Sequence, residues 1–175
     1  MTTTTIINIR GTNGSGKSTL ALSMLDPVRH EVELGGVTCL TDLTTVLIGP
    51  YPPGKTGGCD RIGKFETMRT AIRVCALNYP FVVFEGITVA TTFGSWAEFC
   101  LELPFIWAYL DTPLEMCLAR VRQRNGGADF KEEMVEDKFR SILSTRNKAL
   151  AAGFRVVDLD HKDAHAQLSA VALLD

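Results

Sequence analysis

Short apolar runs rich in β-branched and aromatic residues alternate along the chain with longer stretches whose apolar positions recur every three or four residues. Buried strands give the first pattern and amphipathic helices the second, so the chain predicts an α/β domain on a parallel sheet. The predicted strands are Ile6–Arg10, Thr44–Gly49, Phe81–Glu85, Phe105–Leu110 and Arg155–Leu159. Glu31–Leu34 and Val37–Leu40 flank Gly35-Gly36 and predict a tight hairpin on one edge of the sheet. Phe65, Met68, Ile72, Cys75 and Tyr79 make one apolar helical stripe, which Pro80 ends. Capping patterns predict three further helix starts: Ser95 with Glu98, Thr112-Pro113-Leu114-Glu115, and Asp129 with Glu132. The last of these opens a helix that runs to about Leu150 and stops at Gly153. Two stretches carry no period: Pro50–Gly63, with three prolines and four glycines, and Asn125-Gly126-Gly127-Ala128. Patternless loops as long as the first, inside a compact domain, tend to carry function.

A chain of 175 residues fits a single domain, residues 1–175, and buries a real core without disulfides or metal. Apolar residues at 46% and charged residues at 22% exclude disordered, collagen-like and coiled-coil chains. A net charge of −2 gives no general attraction to nucleic acid, so any grip on a polyanion has to be local. The one basic stretch lies between Tyr51 and Pro80, where five Lys/Arg stand against two acids. Five scattered cysteines lack the C-x-x-C spacing of zinc or redox sites, and Cys75, Cys100 and Cys117 fall in apolar helical patterns that make them core. Neither a signal peptide nor a membrane span is visible, and the expected compartment is a reducing cytoplasm.

Gly11-Thr12-Asn13-Gly14-Ser15-Gly16-Lys17-Ser18 matches G-x-x-x-x-G-K-[ST] at every position. Glycines let backbone N–H groups turn inward around a triphosphate, where side chains would collide with it. Lys17 places a point charge at the β- and γ-phosphates, and the Ser18 hydroxyl is suited to Mg²⁺. A predicted strand precedes the motif and a helix from Lys17 to about Leu25 follows it, the context a P-loop requires. The nucleotide-binding set is Gly11, Asn13, Gly14, Ser15, Gly16, Lys17, Ser18 and Thr19.

Other P-loop classes fit less well. A GTPase needs N-K-x-D after a strand, and Asn147-Lys148-Ala149-Leu150 lacks the Asp and lies in a predicted helix. No L-S-G-G-Q-like segment of an ABC ATPase is present. Phe81-Val82-Val83-Phe84-Glu85-Gly86 resembles the acidic-ended strand of nucleoside and nucleotide kinases. Tyr109-Leu110-Asp111-Thr112-Pro113-Leu114-Glu115 through Arg120-Val121-Arg122-Gln123-Arg124 is similar to their strand, turn and arginine-bearing lid helix. The resemblance implies a three-layer P-loop fold with a five-stranded parallel sheet, a central P-loop strand and a small lid that closes over ATP. More narrowly, Gly57-Gly58-Cys59-Asp60 before a helix, followed by Phe84-Glu85-Gly86, resembles bacteriophage kinases that phosphorylate 5-hydroxymethyluracil in DNA during thymine hypermodification. That resemblance implies ATP and Mg²⁺ as cofactors, modified DNA as acceptor and, for a phage-encoded chain, the host cytoplasm.

The candidate catalytic residues are Lys17, Glu85, Asp60, Arg120 and Arg124, with Ser18 and Glu85 on the metal. Glu85, after four apolar residues, ends a strand beside the P-loop and is read either as general base or as a water-mediated Mg²⁺ ligand. Arg120 and Arg124 are four apart and share a helix face, so a closing lid would bring both guanidinium forks to the γ-phosphate. Asp60, Arg61, Lys55 and Lys64 are placed at the acceptor, Asp60 as base or hydrogen-bond acceptor and the cations on phosphates. His161 and His165 are read as surface residues, and Trp96 and Trp107 as core. The sequence leaves open three acceptor readings: a DNA base, free deoxynucleosides or their monophosphates, or no acceptor at all in an ATP-driven switch.

Overall fold

The computed structural model describes residues 4–53 and 57–172. Its first strand, β1 (Thr5–Arg10), is buried along its whole length and feeds the P-loop, from which α1 (Lys17–Ser23) rises. β2 (His30–Leu34), β3 (Val37–Thr41) and β4 (Thr45–Leu47) follow, then a 3-10 turn over Gly58–Arg61 and α2 (Phe65–Asn78). β5 (Phe81–Glu85) leads to a short α3 (Ile87–Thr91) and to α4 (Gly94–Glu102). β6 (Ile106–Asp111), α5 (Leu114–Arg124), α6 (Glu132–Ala151), β7 (Val156–Asp160) and α7 (Ala164–Ala172) complete the described chain.

The strands form one sheet in the order β2-β3-β4-β5-β1-β6-β7. Five of them, β4-β5-β1-β6-β7, are parallel with β1 in the middle. The sheet is nevertheless seven-stranded and mixed, not five-stranded and parallel, because the β2–β3 hairpin, on the edge expected from sequence, adds two antiparallel strands. Leu40 and Thr41 pair antiparallel with Leu47 and Val46, which satisfies the outer edge of β4 and moves the open edge to β2. That edge carries exposed His30, Glu31 and Glu33, charges that discourage further strand addition.

Side chains alternate across β1 and β6 and so feed two cores. Ile7, Ile9, Ala108 and Leu110 face α1 and α7. Ile6, Trp107 and Tyr109 face α2, α3, α4 and α6, and this second core holds the aromatic cluster of Phe84, Trp96, Phe99 and Phe105. The result is helix on sheet on helix, three layers. All five cysteines are buried thiols without disulfide partners.

Three caps expected from sequence are not used as caps. Ser95 lies inside α4, which starts at Gly94; Asp129 lies outside α6, which starts at Glu132; neither helix has a side-chain cap. Thr112 gives its hydroxyl to the Ser15 carbonyl at 2.8 Å instead of to the start of α5. A tertiary acceptor in the buried P-loop wins that hydroxyl over the local backbone. The long loop 50–63 also contains structure, the 3-10 turn, where the sequence pattern predicts none.

Candidate active site

The P-loop is held from three sides. Thr112 binds the Ser15 carbonyl, Thr12 gives its hydroxyl to the Val135 carbonyl at 3.2 Å, and Arg120 Nη1 donates to the carbonyls of Gly14 and Ser15 at 3.2 and 3.3 Å. Gly14 takes φ 78°, and a Cβ there would stand 2.4 Å from the Cys117 carbonyl oxygen. Only glycine allows the loop to lie this close against α5. Lys17 is buried at 8% exposure, with Nζ 3.2 Å from the Thr12 carbonyl. Burial pushes its ammonium below the ordinary lysine range, and the negative charges of Glu85 and Asp60 oppose that shift.

Glu85 ends β5 in register with Ile9 of β1, which sets its carboxylate beside the P-loop. Its Oε1 accepts from Ser18 Oγ at 2.9 Å and from Tyr51 Oη at 3.3 Å. The residue is 1% exposed. Burial raises its carboxyl pKa, while Lys17 and the Ser18 hydrogen bond pull it back down.

Next to Glu85 three chain segments meet with no side chains between them. A Cβ on Gly58 (φ 74°) would lie 2.6 Å from Glu85 Oε1, one on Gly49 2.4 Å from the Gly58 carbonyl, and one on Gly86 3.0 Å from Asp60 Oδ1. These contacts press the 3-10 turn onto the end of β5. Asp60, exposed at the cleft, then accepts from the backbone N–H groups of Ile87 (2.8 Å) and Thr88 (3.1 Å), the first turn of α3. Each carboxylate oxygen keeps a lone pair for a further donor.

A cleft of about 630 Å³ unites most of the residues expected from sequence: Asn13 to Thr19, Asp60, Glu85, Arg120 and Arg124 all line it. Gly11 sits behind the loop and lines a smaller cavity on the α6 side. Arg61, in the 50–63 segment, and Lys64, just after it at the start of α2, are exposed but do not line the cleft, and Lys55 lies outside the described residues. The basic balance of residues 51–80 shrinks in three dimensions. Arg69 pairs with Glu66 (2.9 Å) and Glu98 (3.8 Å), and Arg73 with Glu102 (2.7 Å), so two of the five cations already answer to acids, two of which lie on α4. Arg122 is paired with Glu132 across the lid turn.

Sequence reasoning missed Tyr51 and gave the two histidines no part in the cleft. His161 and His165 also line the cleft, the first with Nδ1 2.9 Å from the Asp111 carbonyl oxygen and the second with Nε2 3.1 Å from that of Ser23. Their i, i+4 spacing around the β7–α7 turn was the available signal, because the carboxyl ends of parallel strands converge on the ligand. Nothing near Tyr51 in sequence points to Glu85.

The paired oxygens of Ser18 and Glu85 are hard donors next to the phosphate loop, which suits Mg²⁺ held by one or two protein oxygens together with phosphates and water. Among the described residues no cluster of three or more His, Cys, Asp or Glu offers an all-protein cage. Arg124 reaches the cleft without shaping the loop, so R124A should keep its fold and its ATP affinity within a few fold while kcat drops about 10²-fold. Unchanged kcat in steady-state phosphate-transfer kinetics would remove Arg124 from the lid.

A P-loop strand at the centre of the sheet, an acidic β5 end hydrogen-bonded to the P-loop serine, and an arginine-bearing helix against the P-loop define a kinase of the P-loop phosphotransferase class. The family model for 5-hmdU DNA kinase matches residues 2–159, and the chain belongs to that family. A 5-hmdU DNA kinase from Pseudomonas phage M6 is 39% identical, over 94% of this chain and 96% of that protein. A 5-hmdU DNA kinase 1 from Salmonella phage ViI is 37% identical, over 81% and 70%. Deoxyadenosine kinase from M. mycoides superposes with a TM-score of 0.54 over 97% of this chain and 100% of that one, at 15% identity, a likeness of fold alone. No helix among the described residues is long and apolar enough to cross a membrane.

Proposed function

We propose that this kinase moves the γ-phosphate of ATP, with Mg²⁺, onto the 5-hydroxymethyl group of 5-hydroxymethyluracil in DNA. Family membership supports the acceptor, and the P-loop supports the donor. The observation that supports the division of labour is the Ser18–Glu85 hydrogen bond, which favours Glu85 on the metal side and Asp60 facing the acceptor.

The acceptor oxygen attacks the γ-phosphorus, the bond from that phosphorus to the β–γ bridging oxygen breaks, and ADP leaves with the bridging oxygen. Asp60 takes the proton from the hydroxymethyl oxygen through a lone pair not used by Ile87 and Thr88. Lys17, Arg120 and Arg124 neutralise charge on the phosphate oxygens, in keeping with a reaction dominated by positioning and electrostatics. Ser18 and Glu85 would hold Mg²⁺, which would neutralise negative charge on the phosphate oxygens when bound. The part of the cleft lined by His161, Lys162 and Ala164 is assigned to the base of the donor nucleotide. Arg61, Lys64 and Lys55 contact the phosphates of the acceptor strand.

Labelled ATP and Mg²⁺, offered hydroxymethyluracil-containing DNA beside free deoxynucleosides and their monophosphates, test this directly. Digestion and mass spectrometry should find the label on the modified base of DNA. Label confined to free nucleosides or monophosphates would overturn the DNA acceptor. Slow ATP hydrolysis with no labelled acceptor would overturn phosphotransfer itself.

A further inference from the structure

Arg10 is the last residue of β1, one position before the P-loop, and its side chain is fully buried. Among the described residues no carboxylate pairs with it. Its guanidinium lies 4.0 Å over the Trp107 ring, bonds Asn8 through Nε, and reaches backbone carbonyls through both Nη atoms. Nη1 donates to Ala90 at 3.2 Å and Thr92 at 3.3 Å, and Nη2 to Thr92 at 3.4 Å. Thr145 of α6 adds its hydroxyl, 3.4 Å from Nη1 and 3.1 Å from the Ala90 carbonyl oxygen. Desolvation lowers the guanidinium pKa to about 10, a sign of how unfavourable this burial is. Packing alone does not require a cation here, since apolar side chains of similar volume fill cores as well or better.

The carbonyls that Arg10 serves belong to the C-terminal end of α3, whose first N–H groups are those that Asp60 accepts. α3 has only five residues, too few to be stable alone, so its position is set by what holds its two ends. A carboxylate at the N-terminus and a guanidinium at the C-terminus both complement the helix dipole. One short chain of contacts therefore joins donor to acceptor: P-loop to Arg10, Arg10 to α3, α3 to Asp60.

We infer that Arg10 is a positioning residue for phosphoryl transfer, fixing through α3 the placement of the Asp60 carboxylate relative to the P-loop. The inference rests on the acceptor-side reading of Asp60 given above. Misplacement of a reacting group by about 1 Å costs about 10²-fold in rate, so a loosened α3 is felt in turnover.

Lysine keeps the buried charge but offers one nitrogen in place of the three that together bond Asn8, Ala90 and Thr92. For R10K, kcat on hydroxymethyluracil DNA should fall 10- to 100-fold, with the Kd of a non-hydrolysable ATP analogue within twofold of the parent. T145V, a milder loosening of the same joint, should show the same split at 3- to 10-fold, and it carries the test alone if R10K fails to fold. Unchanged kcat in a folded R10K, or in T145V where R10K does not fold, overturns the inference. So does an equal loss of ATP affinity. D60N measured in parallel separates the two ideas: full activity in D60N sinks the acceptor reading, whereas an inactive D60N beside a fully active R10K sinks the inference alone.

Discussion

Lys17→Met should leave a folded protein that melts no lower than the parent and transfers phosphate at least about 10³-fold more slowly. The Lys17 ammonium is buried against the Thr12 carbonyl, and burial lowers its pKa. A methionine of similar length removes a desolvated charge and keeps the packing, so stability is retained or gained. The loss falls on the transition state, where the missing charge stabilised developing negative oxygens in a water-poor site. Thermal melts with and without ATP check both halves. The parent should gain about 2.7 kcal/mol at an ATP concentration 100 times its Kd, and K17M little or none at that concentration. A variant that kept the ATP-induced shift and full turnover would remove Lys17 from the site.

Glu85→Gln has the second-largest expected effect, a fall in kcat of about 10²- to 10³-fold. Glutamine is isosteric, and its carbonyl oxygen still accepts from Ser18 and Tyr51, so the local hydrogen bonds survive. Burial of the charged form raises the Glu85 carboxyl pKa, and the amide relieves that penalty. The melting temperature without ligand should therefore stay level or rise. Activity lost along with a collapsed melt would mark Glu85 as structural, and undiminished turnover would remove it from the metal side.

What could be read from sequence was local. The P-loop is eight consecutive residues, the hairpin turn is two glycines, and Glu85 follows an apolar run that only a buried strand explains. Contacts between distant segments were not legible. Asp60 holds Ile87 and Thr88, 27 and 28 positions away, and nothing near Asp60 names them. Thr112 has the right neighbours for a cap, yet a buried carbonyl 97 residues away takes its hydroxyl. Arg69 and Arg73 add to a basic count along the chain, but Glu98 and Glu102 on α4 offset them in space. The two histidines looked peripheral until the β7–α7 turn brought them over the cleft. Propensity and capping rules describe a helix in isolation, and here the third dimension supplied stronger partners.

The side-chain-free junction of Gly49, Gly58 and Gly86 bears on how this enzyme can change. At Gly49 and Gly58 any other residue would collide with backbone or with Glu85 itself, and their positive φ adds strain. The floor beneath the reacting groups is thus closed to substitution. Altered acceptor preference, in nature or in the laboratory, has to come from the wall. Libraries aimed at a new hydroxylated base should vary Ile87, which lines the cleft, with Thr88 next to it, and leave the glycines alone.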